Sequence, residues 1–185
     1  MMKTLLLLSL VLLASVTACA DTCGKATVGA SGDDGDTNLI IWVRCTPAVD
    51  SIVADAKVYV GAFANGHITA AVYDSDGSGS QPETQLCPGG SVTPSGANGW
   101  VTVALSNCGT LLAGHDYWVG INEDGGTSAV QWKYDSGGSG YFIGQTCCTW
   151  PATVGANTPI TNTYSAYLDI FPAAAVARKR TGWIQ

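Results

Sequence analysis

Short segments in which apolar and polar residues alternate recur along most of the chain. In the segment Lys57 to Phe63, for example, Val58 and Val60 fall on one side and Tyr59 on the other. A period of two residues is typical of a β-strand with one buried face, and no long segment shows the 3.6-residue period of an amphipathic helix. The segments with this alternation are 39–44, 57–63, 68–73, 100–105, 117–121, 130–134 and 164–170.

Turn-forming residues separate these segments. Gly, Asp, Asn and Ser dominate the connections, and Asn65-Gly66, between segments 57–63 and 68–73, predicts a β-hairpin. Seven or eight short strands with one apolar face each predict an all-β domain, an antiparallel β-sandwich of about 150 residues. A closed barrel stays open as an alternative, because the number of strands does not separate the two.

The two ends of the chain differ from this body. Lys3 is followed by an aliphatic run, Leu5 to Leu13, and then by small residues, which predicts a signal peptide over residues 1–20 and secretion. Cleavage after Ala20 is one interpretation, and a bacterial lipobox that makes Cys19 a lipidated N-terminus at the cell surface is the other. We expect the β-sandwich to occupy residues 21–171 and a basic tail to occupy residues 172–185.

Composition and charge exclude several classes of protein. The 185 residues are 46% hydrophobic and 12% charged, too apolar for a disordered chain. The formal net charge is −6, and the 14 acidic residues all lie in the body, which keeps four basic residues and a net charge of −10 (4 − 14). Such a body does not bind nucleic acid or anionic membranes by electrostatics.

The cysteines predict disulfide bonds. Six of the seven follow the signal segment, and an even number in an exported chain is typical of paired cysteines. We expect Cys87 to bond with Cys108. The neighbours Cys147 and Cys148 would point to opposite faces of a strand, so we expect each to bond with one of the two N-terminal cysteines. The six are Cys23, Cys45, Cys87, Cys108, Cys147 and Cys148.

Several turn and strand motifs occur in a characteristic order. AVYDSDGSG ends at Gly79, GWVTVAL begins at Gly99, an AGxxYWVGI strand ends at Ile121, and YSAYLDI closes the body at Ile170. In this order the chain resembles a jelly-roll domain of secreted and surface-anchored bacterial proteins, similar in architecture to non-catalytic carbohydrate-binding modules. The resemblance implies a jelly-roll-like sandwich. The six cysteines depart from the pattern, and the resemblance implies the fold more than a particular activity.

Catalytic residues are scarce. Glycoside hydrolysis normally needs two carboxylates across a cleft, and the only glutamates of the chain are Glu83 and Glu123. His67 and His115 lie in turns, and we expect each to be a solvent-exposed turn residue rather than a catalytic base. We therefore expect no enzyme, and a hydrolase is a distant alternative.

Aromatic side chains suggest a binding site instead. A sugar ring has an apolar face that packs on an indole or phenol, and its hydroxyls need polar partners. The candidates surround the Gly- and Ser-rich stretch 137–140, which we expect to be a flexible loop, and they are Trp132, Tyr134, Tyr141 and Trp150. We expect the other central tryptophans to be core or cover residues; they are Trp42, Trp100 and Trp118.

Calcium is the expected cofactor if there is one. Clustered carboxylates repel one another without a cation, and Ca²⁺ prefers oxygen ligands. Asp33, Asp34 and Asp36 form the best candidate site. Acidic turn residues that keep the protein soluble are the alternative explanation.

These features predict a secreted, non-enzymatic protein that binds carbohydrate or another extracellular polymer. A structural subunit of an extracellular filament, fibre or surface layer is the alternative, because a small, weakly charged, disulfide-bonded domain suits it equally well. In that case the partners are other copies of the chain.

Overall fold

The computed structural model describes residues 20–34, 38–78, 80–125 and 129–174. These residues form twelve β-strands and no α-helix. The strands are β1 (Asp21–Gly24), β2 (Ser31–Asp34), β3 (Leu39–Cys45), β4 (Ser51–Phe63), β5 (Ile68–Ser75), β6 (Pro82–Val92), β7 (Gly99–Ala104), β8 (Thr110–Leu111), β9 (Tyr117–Glu123), β10 (Val130–Gly144), β11 (Thr158–Tyr164) and β12 (Ala166–Pro172).

All the strand pairs are antiparallel, and they form two layers. In the first layer β4 is central, with β12 and then β1 on one side and β7 and β8 on the other. The second layer has the order β11-β10-β3-β9-β5-β6. The long strand β10 joins the layers, because its first residues pair with both β4 and β2 while its last residues pair with β3.

The main core lies between the two layers. Val58 and Val60 of β4 are fully buried and belong to the same apolar cluster as Val72 of β5 and Val119 of β9. These are the apolar positions of the alternating segments, so the alternation correctly indicated the buried faces. The predicted antiparallel β-sandwich is confirmed.

A second, smaller apolar cluster lies on the outer side of the second layer. The segment 145–157, here called the cover segment, packs on it, and Tyr73 Oη donates a 2.8 Å hydrogen bond to the Pro151 carbonyl. A Cβ on Gly120 would lie 2.8 Å from the Trp150 ring and 2.9 Å from Trp42 Nε1, so only glycine allows the two indoles to pack here. The buried members are Ile40, Trp42, Ala71, Tyr73, Trp118 and Val154.

The predicted hairpin at Asn65-Gly66 is wrong. It lies between β4 and β5, and these strands belong to different layers, so the turn carries the chain from one layer to the other. Gly66 has φ +94°, and a Cβ there would meet Gly125 Cα at 2.3 Å. The true hairpin comes next, where β5 pairs with β6 across the turn after Ser75.

Several strands are longer than predicted or were not predicted. β10 continues through residues 137–140, with a register shift between Ser136 and Gly140, so this stretch is not a loop. The polar lead-in contains β1 and β2, and the Gly- and Pro-containing segment 82–92 forms β6. These strands have mostly polar or irregular sequences. β1 and β2 gain their hydrogen bonds from β12 and β10, which are distant in sequence, and β6 gains them from β5.

The disulfide bonds only partly match the prediction. Cys87–Cys108 is confirmed, but the other two bonds are Cys23–Cys45 and Cys147–Cys148. The prediction that Cys147 and Cys148 each bond with one of the two N-terminal cysteines is therefore wrong. The physical reason is local structure: the neighbouring cysteines lie in a turn rather than a strand, so their side chains are not held on opposite faces. Cys23–Cys45 connects β1 in the first layer with β3 in the second, with a Cα–Cα distance of 4.9 Å.

The predicted signal peptide lies almost wholly outside the described residues, as do Cys19 and most of the predicted tail. Within the described ranges, no helix is both long and apolar enough to cross a membrane.

Candidate binding site

Two of the four predicted ligand-binding aromatics lie in or against the main core. Trp132 is 2% exposed and belongs to the cluster between the layers, so its indole has no face open to a ligand. Tyr134 is half-buried, packs against the same cluster and lies 5.4 Å from the ring of Tyr164. The alternation with Val130, which is also buried, already placed Trp132 on the core side of its strand.

The other two aromatics lie on the outer side of the second layer. Tyr141 is half-buried on β10, and its ring packs edge-to-face on Trp118 of β9 at 5.2 Å. Trp150 belongs to the cover segment and packs on Tyr73, with ring centroids 6.3 Å apart. Tyr141 borders a cleft whose lining includes none of the other three candidates.

This feature, here called the binding cleft, has a volume of about 560 Å³. Tyr141 forms its aromatic part, and the ring of Tyr141 packs on Trp118, which is 1% exposed. The other side is polar because the turn between β5 and β6 and the loop before β9 meet the end of β3 there. The polar side chains that line it are Arg44, Ser78, Ser80, His115, Asp116 and Ser139.

An ion pair fixes the polar side of the binding cleft. Arg44 Nη2 and Thr46 Oγ1 each donate a hydrogen bond to the Asp116 carboxylate. The Asp116 side chain is 11% exposed, whereas the Arg44 side chain is 52% exposed. Partial burial acts to raise the pKa of Asp116, but the bonds from Arg44 and Thr46 outweigh it and hold that pKa below its usual value. The carboxylate is therefore ionised and oriented before any ligand arrives.

A histidine–carboxylate pair stands beside the ion pair. His115 Nε2 lies 2.5 Å from Asp74 Oδ1, and the imidazole packs edge-to-face on Tyr117 at 4.8 Å. The other histidine, His67, lies outside the cleft, with its Nδ1 3.1 Å from Asp124 Oδ2. Both histidines lie outside the strands, and their side chains are 41% and 50% exposed, as expected for turn residues.

The predicted calcium site is only partly described. Asp33 accepts a hydrogen bond from the Tyr164 hydroxyl, whereas Asp34 Oδ1 lies 3.4 Å from Gln131 Nε2. Successive residues of a strand point to opposite sides, so these two carboxylates do not face a common point. Asp36 lies outside the described residues, and the part of the chain that is described contains no group of three metal-ligating side chains. Calcium binding stays a prediction.

Sequence reasoning found Tyr141 but missed its polar partners. Arg44 and Asp116 are 72 residues apart and meet only because β3 pairs with β9, with Arg44 opposite Trp118. A weak signal existed: Arg44 interrupts the apolar run of β3, and an exposed cation next to a buried strand needs a reason. No spacing of residues in the sequence predicts that the serines of the β5–β6 turn lie beside Arg44 and Asp116.

The binding cleft thus offers one aromatic surface, an oriented charged pair and several hydroxyl and imidazole groups. This set suits a ligand with apolar faces and many hydroxyls. No protein-family model matches the chain, and no curated protein matches it in sequence. The resemblance to carbohydrate-binding modules therefore stays a prediction.

Proposed function

We propose that the protein is a secreted, non-enzymatic protein that binds carbohydrate through the binding cleft. The observation that carries the proposal is the juxtaposition of the half-buried Tyr141 ring with the oriented Arg44–Asp116 pair. A pyranose packs its C–H face on the ring while its hydroxyls bond to the guanidinium and the carboxylate.

The disulfide bonds support the extracellular part of this proposal. Three bonds join all six cysteines of the described residues, and such bonds persist in oxidising compartments. Two of them connect segments more than 20 residues apart and so stabilise a small domain outside the cell.

A pull-down with insoluble polysaccharides tests the proposal. Purified protein is mixed with microcrystalline cellulose, colloidal chitin and insoluble xylan, and the bound fraction is measured over a range of concentrations. We expect saturable binding to at least one of them. Tyr141→Ala is expected to weaken that binding about tenfold, the effect of losing one stacking contact of about 1.4 kcal/mol, whereas Tyr141→Phe keeps the ring and most of the affinity.

The two histidines provide a matched control. Each is paired with one aspartate at the surface, but only His115 lines the binding cleft. His115→Ala should weaken binding and His67→Ala should not. If the wild-type protein binds none of the polysaccharides, and electron microscopy shows ordered filaments instead, the carbohydrate proposal fails and self-assembly is favoured.

A further inference from the structure

Three aromatic rings lie in mutual contact on the outer side of the first layer. Tyr59 of β4 is the register partner of Trp100 on β7, and their ring centroids are 5.3 Å apart. Tyr167 of β12 also contacts Trp100, with ring centroids 4.9 Å apart. All three side chains are half-buried, and they alternate with buried residues of the main core, so they point outward from the sandwich.

A charged group adjoins these rings on the same side of the layer. Lys57 is the register partner of both Thr102 and Tyr167, and Asp55 is the partner of Asp169. The Lys57 ammonium donates a 2.7 Å hydrogen bond to Thr102 Oγ1 and lies 3.3 Å from Asp55 and 3.4 Å from Asp169. We call these seven residues the aromatic face.

The aromatic face differs from the outer side of the second layer. There, Trp42 and Tyr73 are fully buried because the cover segment packs over their cluster. On the first layer the three rings keep part of their surface open in the described structure. Partly exposed aromatic rings beside hydrogen-bonded polar side chains provide the apolar and the polar contacts that a sugar needs.

We propose that the aromatic face is a second carbohydrate-binding surface and that the protein bridges two polymer chains. This inference rests on the proposed function for its class of ligand. The two surfaces lie on opposite sides of the main core, so one sugar unit cannot contact both. Two separate binding surfaces on one rigid body hold two chains together, or two segments of one long chain, and raise the avidity for a dense polymer.

The charges of the aromatic face narrow the class of ligand. One ammonium stands between two carboxylates, which leaves one net negative charge beside the rings. Uronic acid or sulfated polymers would be repelled, whereas a neutral polysaccharide meets both donors and acceptors. Polygalacturonate is therefore expected not to bind to the aromatic face.

Single and double variants test the inference. Tyr141→Ala removes the ring of the binding cleft, and Trp100→Ala removes the central ring of the aromatic face. On a polysaccharide that the wild type binds, we expect each single variant to keep measurable binding and the double variant to lose at least tenfold more than either. Wild-type protein should aggregate a suspension of that polysaccharide, and both single variants should fail to do so.

Further variants distinguish the loss of a ring from the loss of the folded state. Trp100→Phe keeps a ring at this position and should aggregate the suspension like the wild type, and thermal unfolding shows whether Trp100→Ala is folded. Tyr167→Leu is the second variant if Trp100→Ala does not fold. If wild type binds but both variants of the aromatic face bind and aggregate equally well, the inference is overturned and the proposed function stands. If the wild type binds no polysaccharide, both this inference and the proposed function fail.

Discussion

At the scale of single residues, Lys57 is a cation held between two carboxylates on the first layer. Its ammonium is shared by Asp55 and Asp169, and all three side chains are 21–25% exposed. Burial acts to lower the pKa of Lys57, but the two aspartates outweigh burial and raise it. Burial, and then the charge of Asp169, outweigh Lys57 and raise the pKa of Asp55. The lysine therefore keeps together two carboxylates that would otherwise repel each other.

Replacing this lysine should destabilise the protein in a pH-dependent way. Lys57→Met leaves the two aspartates without a cation, and we expect a loss of about 1–3 kcal/mol in the free energy of unfolding at pH 7. The raised pKa of Asp55 means that protonation favours the folded state at acidic pH, a contribution lost as the pH rises through the folded-state value. Protonation also removes the repulsion between the two carboxylates that Lys57→Met leaves unpaired, so the deficit of the variant should shrink below about pH 4.

Urea unfolding at pH 7 and pH 3.5 measures this effect. Adding Asp169→Asn to Lys57→Met removes the repulsion and should recover part of the loss at pH 7. A deficit that is equal at both pH values, or no recovery in the double variant, would show that the charge pair is unimportant.

At the scale of structural elements, the two distant-in-sequence disulfides and the vicinal one act differently. Cys23–Cys45 closes a loop with a sequence separation of 22 and ties β1 to β3, whereas Cys147–Cys148 joins neighbours and closes no chain loop. A disulfide stabilises a protein largely by restricting its unfolded chain, and the restriction grows with the length of the loop.

Removal of each bond should therefore have unequal effects. Cys23→Ala with Cys45→Ala is expected to lower the free energy of unfolding by about 3 kcal/mol. Cys147→Ala with Cys148→Ala is the control and should lower it much less. Chemical unfolding of the two double variants gives the comparison, and equal losses would contradict the loop argument.

The strands that the sequence predicted best are those in which apolar and polar residues alternate most clearly. β3, β5, β7 and β9 were located within a few residues because each has a clear apolar face. β1, β2 and β6 were missed because their residues are mostly polar or irregular and depend on partner strands. The same limit applies to the aromatic face: Tyr59, Trp100 and Tyr167 all fall on the polar side of alternating segments, but only strand order shows that they are neighbours.

At the scale of the whole molecule, one core between the layers contains most of the buried hydrophobic residues of the described chain. Leu168 of β12 is fully buried there, whereas Leu112, which follows β8, is 56% exposed. The same residue type thus occurs in two opposite environments, which separates the effect of burial from that of the substitution.

Alanine at these two leucines should give contrasting stabilities. Leu168→Ala removes a buried side chain and leaves a cavity, so we expect a loss of about 2–5 kcal/mol. Leu112→Ala should change the free energy of unfolding by no more than about 0.5 kcal/mol. Thermal unfolding of both variants is the measurement, and similar transition temperatures would refute the proposed position of the core.

The pairing of β1 with β12 has a mechanical consequence. Asp21 lies opposite Ile170, so the chain enters and leaves the body side by side. A force that pulls residues 20 and 174 apart would break the hydrogen bonds between these strands one after another, starting at this end. Peeling of β1 would stop at Cys23, two residues further on, where the bond to Cys45 passes the load to β3 in the second layer. Under tension β1 would therefore detach over its first few residues, and the rest of the domain would then resist unfolding.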